Sequence, residues 1–99
     1  MQPELIDVDP KTLHLPNSRR YGADPGKLQR QIARFGRSTI GMPQILAYRG
    51  SDGTLMLTDG ATRATRVAKL CPGETVPVEV IDTVPHAFSH LPTVGDKLP

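Results

Sequence analysis

Two rhythms of apolar residues alternate along this chain. Leu5, Ile6 and Val8 make a short β-like run that Asp9-Pro10 ends. Thr12-Leu13-His14-Leu15 follows, either as a second extended piece or as the entry to a loop, before Pro16-Asn17 turns the chain. The period then lengthens. Leu28, Ile32 and Phe35 recur at helical spacing, with Asp24 and Pro25 as an N-cap acid and first-turn proline and Gly36 as a stop. Gln44 to Arg49 and Thr54 to Thr58 return to a strand-like pattern around Gly50-Ser51-Asp52-Gly53, which reads as a hairpin turn.

A second helix is expected from about Gly60 to Leu70. Its buried side would carry Ala64, Val67, Ala68 and Cys71, and its polar side Thr62, Thr65, Arg66 and Lys69. Pro72-Gly73 ends it, and Val76, Val78 and Val80 alternate with Pro77 and Glu79 as a last strand with one buried face. The order strand, helix, hairpin, helix, strand predicts an α/β (α+β) domain over 1–82, with a small mixed sheet and two main helices. Residues 83–99 show no clear period and read as an irregular tail, packed on that domain or trailing from it, with Phe88, Leu91 and Leu98 as its apolar anchors.

Composition narrows the picture modestly. Ninety-nine residues suit one domain, and 37% hydrophobic residues without Trp imply a thin core of Leu, Ile and Val. No run reaches the roughly 20 apolar residues of a membrane helix, so no membrane partner is expected. Met1-Gln2-Pro3-Glu4 lacks the pattern of a signal peptide. The lone Cys71 cannot form an internal disulfide and reads as a packing residue. A cytoplasmic, soluble protein is therefore expected.

Charge changes the picture more. Between Lys11 and Arg49 stand eight cationic side chains, among them Arg19, Arg20, Lys27, Arg30, Arg34 and Arg37, against Asp24 alone. That imbalance points to an anionic partner, nucleic acid among the possibilities, or else to a solvated basic helix. A sharper signal lies at Asp59-Gly60-Ala61-Thr62-Arg63, where a strand end meets a helix start. Unpaired N–H groups and the positive end of the helix dipole make such a place a phosphate seat. Gly60 admits close backbone approach. The N–H groups of Ala61, Thr62 and Arg63 would face the anion, and the Arg63 guanidinium would pair with it or instead make a local ion pair. Arg66, about 60° further round the helix, either joins Arg63 on the anion or is solvated. Asp59 reads as a helix cap, with a metal-holding or water-activating role as the lesser option. His14, His86 and His90 lack the company of a metal site, so none is expected.

Taken together, these segments resemble the ParB/sulfiredoxin-like superfamily, and specifically a stand-alone ParB N-terminal-like domain, from about Ile6 to Ile81. Ile6-Asp7-Val8-Asp9 is similar to the family's opening strand, Asn17-Ser18-Arg19-Arg20 to its Asn-Pro-Arg segment, and Leu28 to Gly36 to its first helix. Met42-Pro43-Gln44-Ile45 is similar to a following strand, and Asp59 to Arg63 to the glycine-arginine turn. The resemblance implies a nucleotide cradle for CTP or ATP with Mg²⁺, in a switch or slow NTPase. It also offers Arg19 and Arg20 as a second hand on the ligand. The loop from Arg37 to Met42 is about three residues longer than usual, and Ser38 and Thr39 on it are expected to close over a ligand or reshape the pocket. Ala61 and Thr62 stand where sulfiredoxins need Cys and His, so that redox chemistry is excluded. Partition ParB proteins continue into a helix-turn-helix and a dimerisation module, for which the residues after Asp82 leave no room. A DNA-binding or nuclease module and a non-catalytic interaction domain remain as alternatives.

Overall fold

A computed structural model describes residues 4–99. Four strands form one mixed sheet in the order β1-β4-β2-β3, where β1 is Glu4–Val8, β2 Ile45–Arg49, β3 Leu55–Asp59 and β4 Val76–Thr83. β1 runs antiparallel to β4 with Ile6 opposite Val78, and β4 runs parallel to β2 with Val78 beside Ile45. β2 and β3 are the expected hairpin, closed by Gly50 N–H donating to the Thr54 carbonyl at 2.7 Å. Helices α1 (Pro25–Phe35) and α2 (Ala61–Leu70) complete a small α+β fold.

Local chemistry explains α1. The Asp24 carboxylate accepts the Lys27 N–H at 2.9 Å, Pro25 opens the first turn, and Gly36 ends the helix at φ +55°. α2 lies against the sheet through Ala64, Val67 and Ala68, which join Ile45, Ala47, Leu57, Val76 and Val78 in the core. Small alanines permit that close approach. α1 packs on α2, away from the sheet. Of its expected apolar stripe only Leu28 is buried, and Phe35 stays 44% exposed. Thr65, expected on the polar side of α2, is buried, with its hydroxyl donating to the Ala61 carbonyl at 2.7 Å.

The segment Leu13–Leu15 is an extended insertion between β3 and the tail. His14 N–H donates to the Leu55 carbonyl and Leu15 N–H to that of Pro92, both at 2.8 Å. Val94 N–H returns to the Leu13 carbonyl at the same length, and Leu13, Leu15 and Val94 are all fully buried. The residues from 83 onward therefore close the core, and β4 itself runs past residue 82. Val94, not singled out by its sequence surroundings, is the tail's deepest anchor.

Asp52 clips this tail to the hairpin. It accepts hydrogen bonds from the Thr54 hydroxyl and from the N–H groups of Thr54 and Ser89. Those bonds, the Thr54 hydroxyl foremost, hold its carboxyl well below the usual carboxylate range, and Thr93 does the same for Asp96. Groups depressed in the folded state stabilise it above the unfolded carboxylate pKa and lose that effect as pH falls through the folded value. Thermal melts are thus expected to be flat from neutral pH down to about pH 4 and to fall below it. Amide exchange at Ser89 and Thr93 should accelerate first. Asp52→Asn should melt lower at pH 7 and be less sensitive to acid; an acid response equal to that of the parent would contradict the clip.

Candidate functional site

The end of β3 and the start of α2 are separated by one residue. Gly60 turns the chain at φ +103°, and a Cβ there would lie 2.9 Å from Ile45 Cγ1 and 3.1 Å from an Arg63 guanidinium nitrogen. Only glycine satisfies both the dihedral and the approach to β2. The Gly60 carbonyl accepts the first helical bond, from Ala64 N–H at 2.8 Å. No side chain caps this end, so the N–H groups of Ala61, Thr62 and Arg63 precede the helical ladder. Asp59 is not the cap expected from the sequence. Its carboxylate accepts from Arg63 at 3.3 Å, and Arg63 also donates to the Gln44 carbonyl at 3.2 Å.

A cavity of about 520 Å³ opens in front of this turn. β3 contributes Leu57 to Asp59, the turn and α2 contribute Gly60 to Arg63, and the Asn17–Arg19 3₁₀ turn contributes Ser18 and Arg19. α1 supplies Lys27 and Gln31. Three cationic side chains thus face one carboxylate, that of Asp59. Arg63 is largely sequestered at 17% exposure, and its Nε is buried without a hydrogen-bond partner. A buried N–H left unpaired costs roughly 1–3 kcal/mol.

Six of the residues selected from sequence meet here: Arg19, Asp59, Gly60, Ala61, Thr62 and Arg63. Lys27, assigned to a nucleic-acid face, belongs to the cavity as well. Ser18, Thr58 and Gln31 were missed, because only the closed fold sets α1 and the 3₁₀ turn around the end of β3.

Four expected residues lie elsewhere. Arg20 is exposed, with its guanidinium 5.0 Å from the Tyr21 ring, in a groove shared with His90 and Lys97. Thr39 faces neither the cavity nor its neighbour, and its carbonyl accepts the Met42 N–H at 3.1 Å. The Ser38 hydroxyl accepts the Ile40 N–H at 3.2 Å, inside its own loop. Arg66 is neither a second clamp at the turn nor solvated. It is 2% exposed and donates to the carbonyls of Gly36 at 2.7 Å and Ser38 at 2.8 Å, with Gln31 Oε1 at 3.4 Å. The Phe35 ring lies 5.5 Å from its guanidinium. Burial pushes the Arg66 guanidinium below its usual pKa, yet arginine remains charged at any accessible pH. Arg66 therefore pins the long loop, and that loop walls a separate cavity of about 190 Å³ lined by Phe35, Ile40, Met42, Arg63 and Arg66.

Cys71 is buried at the end of α2, with its thiol 3.7 Å from the Arg37 carbonyl, in the packing role expected of it. Among the described residues no three His, Cys, Asp or Glu side chains gather as metal ligands, and no helix is long and apolar enough to cross a membrane. Compared with known proteins, the chain matches no protein-family model and no curated protein.

Proposed function

We propose that the cavity in front of α2 binds the phosphates of a nucleotide, CTP or ATP being the first candidates. One observation carries this reading. The uncapped start of α2 shares its cavity with Arg19, Lys27 and Arg63, so helix dipole, free N–H groups and side-chain charge all favour one anion. The volume lies within the range of small-molecule sites, and Pro16, Leu57 and Ala61 supply apolar wall beside the polar groups. The resemblance of Asp59 to Arg63 to the ParB glycine-arginine turn supports the same ligand class. Mg²⁺ would arrive with the nucleotide, since Asp59 is the one carboxylate lining the cavity and it is engaged by Arg63. An anion would compete with Asp59 for Arg63, which offers a way for ligand binding to alter the end of β3.

Isothermal titration with the four nucleoside triphosphates and Mg²⁺ tests the proposal. Binding of one or more is expected, weakened by Arg63→Ala roughly 10- to 100-fold, the loss of a charge-assisted hydrogen bond or two. Absence of binding at high micromolar concentration would sink it and leave a fold that serves interaction alone.

A further inference from the structure

α1 carries cations at Lys27, Arg30 and Arg34, three and four residues apart and hence on one side of the helix. All three are exposed, and they line a shallow groove of about 350 Å³ together with Gln31, Phe35 and Thr62. Helix stability does not account for them. Like charges at these spacings repel, and Lys27 stands in the first turn, where the dipole disfavours a cation. The first turn holds no acid. The ion pairs among the described residues, Arg49 with Glu4 and Arg63 with Asp59, do not include this row, and the capping Asp24 carboxylate offsets one of its three charges.

We infer that the groove along α1 is a track for a single strand of nucleic acid. The three cations span about 10 Å at helical rise, enough for consecutive backbone phosphates. Phe35, 44% exposed at the end of the row, carries the exposed Arg34 guanidinium over its ring at 5.2 Å and the buried Arg66 guanidinium at 5.5 Å, so an unstacked base would reach the ring by displacing Arg34. A duplex keeps its bases stacked and cannot use that ring, and this favours a single strand. Lys27, Gln31 and Thr62 also line the larger cavity, so the track leads toward the phosphate seat. The inference rests on the α1 row and not on the nucleotide reading.

Fluorescence anisotropy with a labelled oligonucleotide of about 20 nucleotides, single-stranded or duplex, tests it across a salt series. Single-strand affinity should fall with salt at a log–log slope near about −2, as expected for three phosphates on a single strand. Arg30→Gln with Arg34→Gln should flatten the slope to about −0.7. Phe35→Leu should weaken binding roughly tenfold and leave the slope unchanged. The Arg30/Arg34 double variant lies outside the larger cavity, so its nucleotide titration should match that of the parent. A nucleotide-binding protein with no oligonucleotide binding overturns the track alone. So does an unchanged slope in the double variant, parental affinity in Phe35→Leu, or duplex bound as tightly as single strand.

Discussion

Arg66→Ala is expected to lower the melting temperature by about 15 °C. The variant loses two charge-assisted bonds to backbone carbonyls and the filling between α1 and α2, together about 3 kcal/mol. The carbonyls of Gly36 and Ser38 would then be freed, and the loop through Met42 would open to water. Hydrogen exchange should report that opening as faster exchange at Ser38, Ile40 and Met42, while β2 and β4 stay protected. Arg66→Lys keeps the charge, but one ammonium replaces the planar fork, so an intermediate loss is expected. A melting temperature within about 3 °C of the parent in Arg66→Ala would mean that the loop holds itself.

Gly60→Ala is expected to cost about 2 kcal/mol, or roughly 10 °C. A side chain at φ +103° is strained, and the new methyl must displace Ile45 Cγ1 and the Arg63 guanidinium. The second displacement links stability to the site. Arg63 reaches the Gln44 carbonyl by crossing over Gly60, so pushing it aside removes the cation nearest the helix start. Nucleotide affinity should therefore fall with the melting temperature. Gly73, also at positive φ but with open space around it, is the matched control: Gly73→Ala should cost stability without touching affinity. Equal affinities in Gly60→Ala and the parent would show that the turn is not where phosphate binds.

Much of this architecture was legible along the chain because it depends on neighbours within a few residues. The bounds of α1 follow from Asp24, Pro25 and Gly36, and the hairpin from Gly50 to Gly53, each through bonds the backbone makes locally. The buried face of α2 and the alternation of β4 were equally plain, since periods of 3.6 and 2 show where a core must lie. Half of the candidate site was visible for the same reason, the turn from Asp59 to Arg63 being one local structure.

What covers each face was not visible. Arg66 and Thr65 sit on the side of α2 that periodicity assigns to solvent, and both are buried, Arg66 beneath α1 and the loop that follows it. Phe35 reads as a core residue and remains half out, because α1 rests on another helix and not on the sheet. Val94 belongs to a segment without rhythm, yet it seals the core by pairing with Leu13, 81 positions away. Pattern specifies which face turns inward, through the geometry of a single element. Which charge meets which carbonyl is decided by long-range packing, and that exists only once the chain has closed on itself.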